Sequence, residues 1–173
     1  MRKQPIWIII FTILLDTLGI GILVPVVPQL LGNPASPHYL LSSSTSPGTG
    51  YVLLGFLVAV FPIMQFFATP ILGQLSDRHG RKPILALSLF GTSIGYVLFA
   101  LGIVFRSIPL LFVARALDGV TGGNISVAQA AIADVTPPAE RTKNFGLIGA
   151  AFGVGFVLGP FLGSTLTDPS IVS

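Results

Sequence analysis

The sequence predicts an all-α membrane protein, and its composition, segment lengths and charge distribution all indicate that class. Of the 173 residues, 52% are hydrophobic and only 9% are charged, whereas a soluble domain carries about 25% charged residues. Five segments are apolar over the roughly 20 residues that a helix needs to cross a bilayer. The lysines and arginines fall mainly in alternate connections, as expected for a multi-pass topology.

The five predicted spans cover residues of about 5–31, 51–75, 83–105, 108–135 and 144–166. The first span follows Arg2 and Lys3 and so begins like a signal peptide. Its apolar run is longer than the ~7–15 residues of a signal sequence, and it contains Asp16. We therefore expect it to remain in the membrane as a helix.

The connections between the spans differ in character. Residues 32–50 are rich in Ser, Pro, Gly and Thr and predict a flexible polar loop with room for a short helical turn. Residues 76–82 predict a tight, charged loop, and residues 106–107 a minimal turn. Residues 136–143 predict a loop that begins with two prolines.

Basic residues outside the spans divide the protein into two sides. One side carries Arg2, Lys3, Arg78, Arg81, Lys82, Arg141 and Lys143, and the other carries Arg106 alone. Because an excess of Lys and Arg marks cytoplasmic loops, the N-terminus is predicted to be cytoplasmic. The expected location is the cell membrane, either a bacterial inner membrane or a plasma membrane.

Asp16 is a candidate functional residue because of its depth. It lies about ten residues into the first span, roughly 15 Å deep and near the midplane. A charge there is costly and burial favours the neutral carboxyl, so Asp16 suits a proton or cation site. A structural hydrogen bond to a neighbouring helix is the alternative.

Three more charged residues belong to span four. Arg115 and Asp118 are three residues apart, so they share a face and can pair. One interpretation is that the ion pair merely allows both side chains to enter the membrane. The other is that Arg115 senses or positions a proton or an anionic group, and the sequence leaves both open. Asp134, near the cytoplasmic end, is placed to meet the basic residues at 78–82 as a conformational latch.

Uncharged polar side chains concentrate on spans one, two and four, namely Thr17, Gln29, Gln65, Thr69, Gln74, Asn124 and Gln129. Span three carries fewer, mainly Ser88, Thr92 and Ser93. We expect spans one, two and four to line a polar path that includes Gln65 and Asn124. Hydrogen bonding between helices is the alternative for each residue.

Span five has a glycine face. Gly155, Gly159 and Gly163 recur at intervals of four and allow a second helix to approach closely. Pro160 removes one backbone donor and is expected to bend the helix. Further close-packing pairs are predicted at Gly91/Gly95, Gly119/Gly123 and Gly149/Gly153.

Several function classes are excluded or disfavoured by composition. The absence of cysteine excludes disulfides, Cys-ligated metals and thiol nucleophiles. Both histidines fall in predicted loops, without a His-rich metal cluster or a Ser/His pair at membrane depth, so neither an enzyme nor a metal site is expected. The net charge of +3 follows from topology and does not form a nucleic-acid-binding patch.

Four segments together resemble the major facilitator superfamily. Residues 73–83, Gly-Gln-Leu-Ser-Asp-Arg-His-Gly-Arg-Lys-Pro, resemble its signature between helices two and three. Residues 115–119 resemble the fourth-helix motif, and residues 155–163 the fifth-helix motif of antiporters. Residues 15–28 resemble the first helix of drug/proton antiporters, particularly the tetracycline-efflux group.

The resemblance implies alternating-access transport with a proton gradient as the energy source and no cofactor. It implies a conformational gate at Gly73, Asp77, Arg78, Gly80 and Arg81. Arg81 would pair with Asp134, while Asp77 and Arg78 would stabilise the outward-facing state through the other half of the protein. It links Arg115 to proton coupling and the motif at 155–163 to helix bending, although Ser164 replaces a second glycine.

The same resemblance implies that residues 1–173 are an incomplete six-helix N-terminal half, truncated before the sixth span. Family members have twelve spans, and their substrate cavity lies between two halves. This chain alone is therefore not expected to transport. Its expected partners are membrane lipid, protons, a small-molecule substrate and the missing C-terminal half.

Proton-coupled efflux of small amphipathic compounds, such as tetracycline-like molecules, is the leading functional hypothesis. A uniporter or symporter of the same superfamily is one alternative. A non-transporting membrane interaction subunit is another. The glycine and proline pattern of span five favours exchange by analogy alone.

Overall fold

The computed structural model describes residues 6–42 and 45–167, and these form an all-helical bundle. The helices are α1 (Ile6–Leu31), α2 (Pro47–His79), α3 (Arg81–Val104), α4 (Ile108–Thr121), α5 (Ile125–Val135) and α6 (Arg141–Thr167). Short 3₁₀ turns at Gly122–Asn124 and Pro138–Glu140 precede α5 and α6. No β-strand occurs in these two ranges, and the predicted all-α fold is confirmed. Arg2 and Lys3, used above for orientation, lie outside the described residues.

Four helices are long and apolar enough to cross a membrane: α1, α2, α3 and the helix that ends in α6. Their outer faces carry large apolar side chains. Trp7, Phe66, Phe90, Val104 and Val157 are each more than 60% exposed in the isolated chain. Such a surface suits contact with lipid, where apolar side chains need no cover from other protein.

The predicted fourth span is interrupted at its centre. α4 and α5 cover residues 108–135, but the 3₁₀ turn Gly122–Asn124 separates them, so the expectation of one continuous helix is wrong there. Two adjacent glycines weaken a helix, and nearby side chains satisfy the carbonyls. Gln65 Nε2 donates to the Gly122 oxygen at 2.7 Å, and Ser126 Oγ donates to the Gly123 oxygen at 3.2 Å.

The connection between α2 and α3 is a single residue, Gly80. Its backbone has φ of 92° and ψ of 156°, a region open essentially only to glycine. The tight loop predicted at residues 76–82 is therefore wrong, because α2 continues to His79 and α3 begins at Arg81. His79 accordingly ends a helix and does not lie in a loop. At its other end, α2 begins at Pro47, four residues before the predicted start.

α6 packs along α1 through the glycine face predicted for span five. A Cβ added to Gly155 would lie 2.6 Å from Thr17 Cβ, and one added to Gly159 would lie 2.6 Å from Gly21 Cα. Gly163 makes a similarly close approach to the α1 backbone. No side chain fits at these distances, so the glycines allow direct backbone contact between the two helices.

The other predicted glycine pairs differ in whether they contact a neighbouring helix. Gly119 and Gly123 meet the backbone of α2, and the glycine pair of α3 meets α4. α4 therefore lies close to both α2 and α3. A Cβ on Gly149 or Gly153 would meet no described atom within 4 Å, so this pair makes no close helix contact in the part of the chain that the structure covers.

Two buried apolar clusters lie at opposite ends of the bundle. The first includes Ile13, Leu85 and Val127 and joins the early parts of α1 and α3 to α5 and α6. The second includes Leu23 and Leu111 and joins the late part of α1 to α2, α3 and α4. The helix segments between the clusters carry several buried polar side chains, among them Asp16, Thr92, Asp118 and Asn124, which places these four near the middle of the bundle.

Candidate functional site

Four of the predicted site residues meet in this polar layer. Asp16, Arg115, Asp118 and Asn124 are each less than 10% exposed. They come from α1, from α4 and from the turn between α4 and α5. The fold thus joins the acidic residue of span one to the polar residues of span four.

Asp16 is held by Asn124 across the bundle. Asn124 Nδ2 donates a hydrogen bond to Asp16 Oδ2 at 2.6 Å, and the 3₁₀ turn places this asparagine opposite α1. Asp16 Oδ1 is buried and has no hydrogen-bond partner among the described residues. One carboxyl oxygen is therefore fixed, while the other can carry a proton.

Arg115 and Asp118 form the pair that their spacing predicts. Arg115 Nη1 lies 2.9 Å from Asp118 Oδ2, and both side chains are buried. The guanidinium also lies over the Phe61 ring of α2, with 4.6 Å between Cζ and the ring centroid. The sequence analysis missed Phe61, because one phenylalanine in an apolar span carries no signal of such a contact.

Asp16 and Asp118 share one cavity. It has a volume of about 10 Å³, close to the smallest space that holds one water molecule. Its polar lining also includes Thr17, Gln65 and Thr92. Two ionisable carboxyl groups from different spans therefore face one water-sized space.

Tyr96 on α3 is a further polar group of this layer, and the sequence analysis missed it. Its hydroxyl is buried, with no hydrogen-bond partner within residues 6–42 and 45–167. It lies against Gly19 of α1, where an added Cβ would collide with it. One turn before it, Thr92 shares a hydrogen bond of 3.1 Å with Thr121. One feature of the sequence could have identified Tyr96. Thr92 and Tyr96 lie four residues apart, so they share a helix face.

The predicted gate residues lie at the end of the bundle where α2 meets α3. Arg81 Nε donates to Asp134 Oδ2 at 3.0 Å, and Arg81 Nη1 contacts Asp77 and also donates to Ser76 Oγ at 2.6 Å. Arg81 therefore links the end of α2 to the end of α5, and the expected contact with Asp134 is present. Ser76 is a member of this set that the sequence analysis did not identify.

Gly73 and Arg78 do not join that network. A Cβ on Gly73 would meet no described atom within 4 Å, and Arg78 is exposed. Both lie on the last turns of α2. Their contact with another half of the protein stays a prediction.

A groove between α2 and α5 contains part of the predicted polar path. Its volume is about 390 Å³. The lining residues are Pro62, Gln65, Phe66, Thr69, Ile125, Ser126 and Gln129. None of these carries a charge. Gln29, also expected on the path, instead accepts a hydrogen bond from Asn33 at the far end of α1.

Buried ion-pairing groups between apolar helices define a multi-pass integral membrane protein with an ionisable centre. The family model of the Major Facilitator Superfamily matches residues 6–170, and the chain belongs to that superfamily. This family consists of transporters, which are not enzymes. The resemblance inferred from the four segments is therefore confirmed.

Individual relatives agree with this assignment. The chain is 41% identical over 170 residues to the class H tetracycline resistance protein of Pasteurella multocida, covering 98% of this chain and 39% of that protein. It is 41% identical over 159 residues to the class C protein of Escherichia coli, covering 92% and 37%. This chain thus spans about two fifths of the length of these relatives.

A solved structure has the same fold. The human organic anion transporter MFSD10 superposes with a TM-score of 0.76 at 30% sequence identity. The match covers 98% of this chain and 43% of that one. The arrangement of the described helices is therefore that of part of a major facilitator protein.

Proposed function

We propose that this segment is the front part of a proton-coupled exporter of small amphipathic compounds. The cavity that Asp16 and Asp118 share is the observation that carries the proposal. Carboxyl groups buried at the middle of a membrane bundle are expensive to ionise and therefore suited to binding protons. The rest of the transporter would come from a second half, in line with the partial coverage of the relatives.

The charge balance of the site supports coupling to one proton. Asp16 and Asp118, when both are ionised, carry two negative charges against the single positive charge of Arg115. One proton bound to either carboxyl neutralises the set. Because an uncompensated buried charge is strongly unfavourable, this balance favours uptake of a single proton by the two carboxyl groups.

The groove between α2 and α5 indicates the kind of substrate. Gln65, Thr69, Ser126 and Gln129 offer amide and hydroxyl groups, and Phe66 offers an aromatic face. Because its lining carries no charge, the groove favours neutral or zwitterionic amphipathic molecules with several hydrogen-bonding groups. Tetracycline-like compounds have these properties, and the names of the bacterial relatives agree.

The proposed mechanism is alternating access, with the Arg81 end of the bundle facing the cytoplasm. The network of Asp77, Arg81 and Asp134 would stabilise one conformation at the end of the bundle that faces the cytoplasm. The energy source would be the proton gradient across the cell membrane, without a cofactor. Efflux would then follow from exchanging an external proton for an internal substrate molecule.

Everted membrane vesicles that contain the full-length protein test the proposal. A proton gradient should drive tetracycline uptake, and Asp16→Asn should abolish that uptake at unchanged expression, because the amide cannot carry the proton. Exchange of labelled for unlabelled tetracycline without a gradient should persist. Gln29→Ala is the matched control on the same helix, since Gln29 lies outside the cavity lining.

Two results would reject this function. Gradient-driven uptake that is unchanged in Asp16→Asn would remove Asp16 from the coupling site. Uptake that persists in the wild type after a protonophore has collapsed the gradient would favour a uniporter.

A further inference from the structure

We propose that Phe61 is a positioning residue for the buried ion pair, holding the Arg115 guanidinium charged and in place while Asp118 exchanges its proton. The inference rests on the proposed function, since it concerns how the site tolerates a change of protonation. Phe61 acts through Arg115 and needs no contact with the substrate.

The guanidinium is bound by two groups of different kinds. Nη1 pairs with Asp118 Oδ2 at 2.9 Å, and Cζ lies 4.6 Å from the centre of the Phe61 ring. Nε is buried and finds no acceptor in the part of the chain that the structure describes. Phe61 is 8% exposed and Arg115 is 7% exposed, so water screens this contact little, and cation–π attraction is strongest when the partners are desolvated.

The Phe61 ring is fixed by the glycines of the fourth span. A Cβ on Gly119 would lie 2.5 Å from the Phe61 carbonyl oxygen, so only glycine allows α4 to lie this close to α2 at that point. A Cβ on Gly122 would lie 3.1 Å from Cε2 and Cζ of the ring. Since the backbones on both sides set its position, the aromatic face stays under Arg115 when the neighbouring charge changes.

Protonation of Asp118 is the step at which this contact matters. The neutral carboxyl no longer pairs directly with the guanidinium, even though ionised Asp16 still balances its charge across the cavity, and a buried charge without a close partner is unfavourable. The other titratable groups nearby are Asp16 on α1 and Tyr96 on α3, whereas α2 contributes the uncharged Gln65. When the competing attraction of the carboxylate is removed, the guanidinium can settle more closely on the Phe61 face. A contact that is stronger beside neutral Asp118 than beside ionised Asp118 favours the protonated state of Asp118.

Ring fluorination at position 61 tests the inference with little change of shape. Fluorine atoms withdraw electron density from the ring face and weaken cation–π attraction stepwise. Mono-, di- and trifluorophenylalanine would be incorporated at Phe61 in the full-length protein. Difference infrared spectroscopy then follows the protonated carboxyl band of Asp118 against pH, with the band assigned by its loss in Asp118→Asn.

The titration midpoint is expected to move to more acidic pH with each added fluorine, by about half a pH unit over the series. Phe61→Leu, which keeps an apolar side chain but has no ring face, should give at least the full shift. The matched control is the same series at Phe56, an exposed phenylalanine of α2, where the midpoint should stay constant. A flat series at Phe61, or equal shifts at both positions, would overturn the proposal.

A separate measurement of proton-driven efflux distinguishes failure of the proposed function from failure of the proposed role of Phe61. If the wild-type protein shows no proton-driven efflux, the proposed function fails, while the infrared titration still decides the role of Phe61. If efflux is present and the infrared series is flat, only the role of Phe61 is rejected.

Discussion

At the scale of single residues, some structural roles can be predicted from the sequence and others cannot. Gly80 is needed because its φ of 92° and ψ of 156° are open essentially only to glycine. Asp16 was predictable from its depth alone, since a carboxyl near the midplane is exceptional. Phe61 and Tyr96 were not predictable as site residues, because each becomes part of the site only through a neighbour on another helix.

Replacing Gly80 with alanine should destabilise the protein by roughly 1–3 kcal/mol, the usual cost of holding a non-glycine residue in such a conformation. Thermal melting of the full-length protein in detergent measures the effect. Gly55→Ala is the control, because Gly55 lies in α2 and its added Cβ meets nothing within 4 Å. Equal melting of the two variants would show that the backbone at Gly80 adapts without strain.

At the scale of helices, glycine positions decide how closely the elements approach. The face of α6 with Gly155 and Gly159 meets the α1 backbone, as the interval of four predicted. Gly149 and Gly153 have the same spacing, but a Cβ added to either would meet no described atom of another helix within 4 Å. Sequence periodicity identifies such faces, but it does not tell which of them has a partner helix.

Gly159→Ala should lower stability by roughly 1–3 kcal/mol, since overpacking forces the backbones apart. Its Cβ would lie 2.6 Å from Gly21 Cα, so α6 must move away from α1. Gly149→Ala on the same helix serves as the control and should melt with the wild type. Comparable losses of melting temperature in both variants would contradict the assignment of the contact face.

At the scale of the whole molecule, we expect the exposed network at Arg81 to bias a conformation rather than to stabilise the fold. The Asp77 and Asp134 side chains are 62% and 52% exposed, and exposed ion pairs contribute only about 0–1 kcal/mol. Yet Arg81 joins the α2–α3 connection to the end of α5. A weak contact at this position can bias one conformation over another without supporting the fold.

Asp77→Asn should therefore reduce the turnover of transport several-fold while leaving tetracycline affinity and melting temperature close to wild type. The amide keeps the size of the side chain but loses its ionic attraction to Arg81. Transport rates in vesicles and equilibrium binding to purified full-length protein measure the two quantities. Equal losses of turnover and affinity would argue that Asp77 belongs to a binding site.

The sequence alone predicts the membrane class, the approximate spans, a deep position for Asp16, the pairing of Arg115 with Asp118 and the superfamily. These properties depend on composition and on local spacing along one helix. The tertiary structure decided the break at Gly122–Asn124 and the bond from Asn124 to Asp16, residues 108 positions apart. Helical periodicity specifies which side chains share a face, but only the packing of whole helices determines what that face meets.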